Sequence, residues 1–187
     1  MNGLIAFFDI LGYQSFLENN GTSDSARKVL KLITETPSKV KNEIGNYAYG
    51  KIEEPEELKE AKKALKHLIF SDTVVLSIEY PPQAGQHWKD AALVHLTGAS
   101  GMLCANMFVE GLPMRGAIVE GEFYIEDMCF AGQAIVDGYK LCHSLDFAGL
   151  VYGSDLHERL PIIYRTEIWN AFFVTYLSPL KGSEEKN

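Results

Sequence analysis

A chain of 187 residues is long enough to bury one sizeable core and short for two domains, and 47% hydrophobic residues exclude a disordered chain. A formal net charge of −8 excludes a basic face for duplex nucleic acid, although a nucleotide can still bind where a metal and a few cations neutralise its phosphates. Cys104, Cys129 and Cys142 share no metal-ligand spacing and read as the reduced thiols of a cytoplasmic protein.

The N-terminus has no basic flank and its apolar run breaks at Asp9, so it does not read as a signal peptide. No apolar run approaches membrane-spanning length, so no membrane partner is expected. Residues 3–8 predict a buried strand of branched and aromatic side chains. The strand delivers Asp9 to its end, followed by the turn Ile10-Leu11-Gly12-Tyr13. A carboxylate there is costly unless something pairs with it; a metal ion is a common partner, and the turn's N–H groups can hold phosphate. On this segment alone, Asp9 reads first as a cap for the helix that follows.

Residues 13–18 predict a short helical turn. Ser23 reads as the N-cap of a helix over 25–41, with Val29, Leu30, Ile33 and Val40 apolar and Pro37 predicting a kink or early stop. Residues 46–50 read as a Tyr-rich turn. Pro55 opens a charged helix over 56–66 whose Glu residues lead and Lys residues trail, as the helix dipole favours; it reads as a solvated face. Residues 67–70 and 73–78 flank Ser71-Asp72 as a hairpin that presents Asp72 at its tip. A helix rich in small residues covers 91–110 and stops at Gly111 and Pro113.

Residues 114–122 predict a strand whose Gly116 and Gly121 mark bulges or close backbone approach. Residues 123–125 extend the sheet or begin another strand. A helix follows over 132–145, with Ile135, Tyr139, Leu141 and Cys142 as core candidates. Residues 150–152 and 172–177 are strand candidates, Ser154 caps a helix over 155–160, Lys181 reads as part of a loose tail, and 183–187 as a frayed end. The order gives one α+β domain over 1–182. A ferredoxin-like core would set Asp9 and Asp72 facing each other on adjacent strands.

Two such aspartates can bridge a pair of Mg²⁺ or Mn²⁺ ions about 3.5–4 Å apart on a triphosphate. Positive side chains must then meet the developing charge, and Arg115, Lys140 and Lys181 are the candidates, with Arg115 favoured because it interrupts an apolar strand. Phe8-Asp9-Ile10-Leu11-Gly12-Tyr13 resembles the F-x-D-I-x-G-F signature of class III nucleotidyl cyclases. Ser71-Asp72 falls where that family has Gly-Asp, the run from Met114 to Gly121 is similar to its R-x-G-I-x-x-G strand, and Gly132-Gln133-Ala134-Ile135 matches the start of its G-x-x-V-N-x-A-x-R helix.

The resemblance implies a mainly antiparallel sheet with flanking helices, and metal held at Asp9, Ile10 and Asp72. It implies phosphates cradled from Ile10, Leu11, Gly12 and Tyr13, with Arg115 and Lys140 in the catalytic roles. The purine-reading Lys falls on Leu68 and its acid or Thr partner on Cys129; the transition-state Asn falls on Val136, with Asp137 beside it, and the family Arg on Lys140. A stand-alone cyclase domain without the purine code is most similar to the bacterial pyrimidine cyclases of Pycsar anti-phage defence. That likeness implies UTP or CTP as substrate, a cyclic UMP or CMP signal, a downstream effector that binds it, and a head-to-tail homodimer. Tyr47, Tyr49 and Phe70 are candidates to fill the space left by a smaller base. A nucleotide-binding scaffold without turnover and a purine cyclase with an unusual pocket stay open as alternatives.

Overall fold

The computed structural model describes residues 1–19, 23–49, 56–127, 129–157, 159 and 179–181. The strand β1 (Asn2–Ile10) is followed by α1 (Tyr13–Asn19), α2 (Ser23–Tyr49) and α3 (Glu56–Ala64), then β2 (Leu65–Phe70), β3 (Thr73–Glu79), α4 (Gln86–Val109) and β4 (Met114–Glu122). The remaining elements are β5 (Tyr124–Glu126), β6 (Cys129–Ala131), α5 (Gln133–Ser144), β7 (Gly149–Tyr152) and α6 (Ser154–His157). Five strands form one sheet in the order β2-β3-β1-β4-β7, and β5 and β6 form a separate hairpin. Every pairing in the large sheet is antiparallel except β4 with β7. The first four strands with their crossovers make the expected split βαβ arrangement.

Residue parity along β1 sorts the core into two halves. Leu4, Ala6, Phe8 and Ile10 pack with Val29, Ile33, Leu93, Leu96 and Leu103 of α2 and α4. Ile5 and Phe7 pack with Ala117, Val119, Ala134, Ile135 and Cys142 on the face that α5 covers. Gly116 and Gly121 are indeed points of close approach: a Cβ would sit 2.5 Å from the Phe8 ring at Gly116 and 3.2 Å from Ala134 at Gly121.

Several predicted boundaries move. The helix α2 runs through Pro37 to Tyr49, so residues 46–49 belong to it and not to a turn. Its buried Val29, Ile33 and Val40 recur on one face, and that packing outweighs the roughly 3 kcal/mol that an interior proline costs. The second strand begins at Leu65, directly at the end of α3, whose Leu58 and Ala61 are buried rather than solvated. Tyr139 is half exposed at 50%, not core. Ser154 is the first residue of α6, which ends at His157, rather than its cap. The candidate strand over 172–177 lies outside the described residues.

The helix α4 starts five residues before the predicted position and, by length and composition alone, could span a membrane. Here it is packed on the sheet and against α2 and α3, with Ala92, Leu93, Leu96, Ala99 and Leu103 fully buried. It ends as foreseen at Gly111 (φ 80°). The Gly111 N–H donates to the Phe108 carbonyl at 3.0 Å and the Leu112 N–H to the Met107 carbonyl at 2.9 Å, the bond pair of a Schellman stop.

Candidate functional site

Asp9 is the last residue but one of β1 and lies opposite Arg115 of β4 on one side and Thr73 of β3 on the other. It shares the α5 face with Phe7, and both Asp9 and Arg115 are 8% exposed. Asp9 does not cap a helix. Its Oδ2 accepts from Arg115 Nε at 2.9 Å and from Nη2 at 2.7 Å, while Nη1 donates to the Leu145 carbonyl at 3.3 Å. A buried carboxylate needs a partner, and the first one here is the guanidinium.

Asp72 occupies the two-residue loop between β2 and β3, in which Ser71 takes a positive φ of 56°. The Ile10 N–H donates to the Asp72 carbonyl at 3.2 Å. That bond draws the tip of the hairpin to the end of β1, so both aspartates reach the same end of the sheet. The half-buried Asp72 carboxylate makes no hydrogen bond or ion pair among the described residues.

The turn after β1 supplies fewer donors than its sequence promises. Ile10 N–H is taken by Asp72, and the Leu11 N–H donates to the Pro113 carbonyl at 2.8 Å. The donors left for a phosphate are the N–H groups of Gly12 (φ 71°) and Tyr13, at the start of α1.

The other candidates are dispersed. Leu68 is buried on β2 among Phe7 and Val75, and Phe70, the last residue of the same strand, is 70% exposed. Cys129 opens β6 in the separate hairpin and is exposed. Lys140 and Val136 are exposed on α5, and Lys140 makes no ion pair among the described residues. Asp137 accepts from Gln133 Nε2 one turn earlier, at 2.8 Å. The side chains of Tyr47 and Tyr49 lie outside the described ones. Lys181 is not in a loose segment: its N–H donates to the Ser144 carbonyl at 2.8 Å, and Leu180 bridges to Leu145.

The sequence reading missed His143. Its Nε2 lies 3.9 Å from Asp9 Oδ1, and its Nδ1 is 3.1 Å from the Tyr139 carbonyl. The ring stacks on Tyr139 with centroids 4.1 Å apart. Helical spacing held the signal, because His143 falls four residues after Tyr139 and eight after Ile135, on the stripe that faces the sheet. Beside it, Cys142 donates from Sγ to the Arg115 carbonyl at 3.4 Å. Burial first, and then the Asp9 carboxylate, push the Cys142 thiol up to about 12, with Arg115 opposing the shift.

Two carboxylates of this kind are hard oxygen donors that suit Mg²⁺ or Mn²⁺, with Asp9 Oδ1 left clear of Arg115 and Asp72 without a partner among the described residues. Among the described residues no three His, Cys, Asp or Glu side chains gather around one point as ligands. The remaining positions on such an ion would fall to water and to oxygens of a bound ligand, as is common for Mg²⁺.

The crystal structure of the guanylyl cyclase Cya2 is similar to this chain, with a TM-score of 0.52 at 13% identity over 84% of this chain and 77% of that one. A class III adenylyl cyclase-like ATP-binding protein from Pseudomonas aeruginosa matches with a TM-score of 0.50 at 10% identity, over 84% of this chain and 34% of that one. These likenesses show the fold, a mostly antiparallel sheet with flanking helices as in class III nucleotidyl cyclases. No family model matches the sequence, and no curated protein matches it.

Proposed function

We propose that this chain is a nucleotidyl cyclase that closes a pyrimidine nucleoside triphosphate on itself, converting UTP to 3′,5′-cyclic UMP and pyrophosphate. CTP is the alternative substrate. The observation that carries the reading is the arrival of Asp9 and Asp72 at one end of the sheet, joined through the Ile10 N–H and the Asp72 carbonyl at 3.2 Å. The shared fold supports it.

In this reading Asp9 Oδ1 and the Asp72 carboxylate would hold two Mg²⁺ or Mn²⁺ ions, which would lower the hydroxyl pKa and neutralise phosphate charge. The Gly12 and Tyr13 N–H groups meet phosphate oxygens, and the Arg115 guanidinium faces the charge that builds up on them. A bond forms between the 3′ oxygen and the α-phosphorus, the bond to the β-phosphate oxygen breaks, and the hydroxyl proton passes to solvent. Leu68 and Cys129, where a purine reader needs polar groups, leave no hydrogen-bonding code for adenine or guanine, and exposed Phe70 offers a flat apolar surface to a smaller base. A head-to-tail homodimer, a cyclic-nucleotide-binding effector and a role in anti-phage signalling complete the proposal.

The test is incubation of the folded protein with each of the four nucleoside triphosphates and Mn²⁺, with products separated by chromatography. Cyclic UMP or cyclic CMP is expected, and no cyclic product with any base overturns the reading. A second reading, nucleotide binding without turnover, is favoured by the exposed Val136 and Lys140 and by the commitment of Arg115 to Asp9. Calorimetric binding of UTP with no product would select it.

A further inference from the structure

We infer that residues 179–181 are a positioning element for Arg115: they pin the peptide between Leu145 and Asp146, whose carbonyl takes the third guanidinium bond, and so keep Asp9 Oδ1 clear. The inference rests on the reading of Asp9 and Arg115 as parts of the site and extends it to backbone groups outside it.

The helix α5 ends at Ser144, and Leu145 turns out of it with φ −73° and ψ 139°. There Leu145 meets Leu180 in an isolated antiparallel bridge. Two bonds flank the bridge. The Lys181 N–H donates to the Ser144 carbonyl at 2.8 Å, and the Asp146 N–H donates to the Pro179 carbonyl at 3.1 Å. The Asp146 N–H and the Leu145 carbonyl belong to one planar peptide unit and, in the trans form, point opposite ways. Pro179 thus fixes one edge of that plane, and the other edge offers its oxygen to Arg115 Nη1 at 3.3 Å.

That contact decides how the guanidinium sits. Arg115 is buried, so Nη1 needs an acceptor inside the protein. With the Leu145 carbonyl in place, Nη1 turns away from Asp9, and Nε and Nη2 converge on Oδ2. The usual pairing of an arginine with a carboxylate is a fork of two parallel bonds, one to each oxygen. Losing the Leu145 acceptor releases the guanidinium to that fork, which covers Oδ1 as well. Residues 179–181 are exposed, so they can be altered without opening the core.

The test compares full-length variants. Lys181→Pro deletes the N–H that reaches Ser144, whereas Lys181→Ala keeps it and removes the ammonium. Nitrogen-15 NMR of the arginine side chains, with the Arg115 signals assigned by their loss in Arg115→Lys, reads the guanidinium directly. In the wild type and in Lys181→Ala, Nη1 and Nη2 have different partners and should give separate, slowly interchanging signals. In Lys181→Pro the two should average, while the backbone spectrum of the sheet stays in place. Asp146→Pro removes the second bond, at a position where Leu145 already has the backbone that precedes a proline. It should give the same averaging, so the outcome does not hang on one variant folding. Unchanged Arg115 signals in either folded proline variant overturn the inference, and so does averaging in Lys181→Ala. Mn²⁺ alone, titrated by calorimetry, should bind the proline variants more weakly by on the order of ten- to a hundred-fold, and equal affinity also overturns the inference. Averaged signals in the proline variants, with no Mn²⁺ bound even by the wild type, would keep the positioning role and remove the metal-holding reading of Asp9.

Discussion

Arg115 donates from both Nε and Nη2 to one and the same oxygen of Asp9, at 2.9 and 2.7 Å, and leaves the carboxylate's other oxygen untouched. The two residues are 106 positions apart in sequence and directly opposite in the sheet. A single carboxylate can in this way answer to a fixed internal cation on one side and to an arriving cation on the other.

Arg115→Met should leave Asp9 buried and uncompensated, and destabilise the fold by about 3–5 kcal/mol. Urea unfolding measures this. The double variant Asp9→Leu with Arg115→Met should recover most of the loss, because both charges leave the interior together. A single-variant loss below about 1 kcal/mol would mean that the pair is solvated.

Asp72→Asn should part stability from chemistry. The side chain is half-buried and has no partner among the described residues, so its unfolding free energy should stay within about 0.5 kcal/mol of the wild type. Metal-dependent formation of cyclic nucleotide should nevertheless vanish. Normal turnover would remove Asp72 from the metal site.

Gly116→Ala should destabilise by about 1–3 kcal/mol, since the new methyl would lie 2.5 Å from the Phe8 ring. Phe8→Leu on its own opens a cavity. Combined with Gly116→Ala it should cost less than the sum of the two, a coupling that a double-mutant cycle reads directly.

Alkaline pH should weaken the fold through its buried thiols. Burial raises both Cys104 and Cys142 from 9.0 to about 12. Each thus favours the fold fully below pH ~9, where both states are protonated, and loses that contribution as pH rises toward 12, because the unfolded thiol ionises first. The melting temperature should fall across that window, and the fall should be smaller in Cys142→Ala. At neutral pH a thiol reagent should modify exposed Cys129 well before the other two.

The order of elements was legible in the sequence because parity and helical spacing are local. Residues 114–122 were read to the residue, and Gly111 announced the end of α4 through its left-handed φ. Pro37 misled because a local propensity yielded to packing against α4, which no window of sequence displays. The pair of aspartates was legible as motif, yet the partner of Asp9 was not. Arg115 presented itself as a phosphate ligand, and only the antiparallel register of β1 with β4 reveals that it faces Asp9. His143 was missed for a related reason: it closes the face of α5 that points at β1, and the strand it points at lies more than a hundred residues earlier.

The corner between α4 and β4 carries a consequence of its own. After the Schellman stop the chain enters the strand at Met114 with no slack, and alternate residues of a strand serve opposite sides. One amino acid inserted between Gly111 and Met114 would turn the guanidinium away from α5 and toward the α2 and α4 layer, stranding the acid of β1 without altering a single side chain. Connector length, as much as composition, therefore encodes the chemistry here, whereas an extra residue among 81–85, which lead from β3 into α4, would shift no strand's parity.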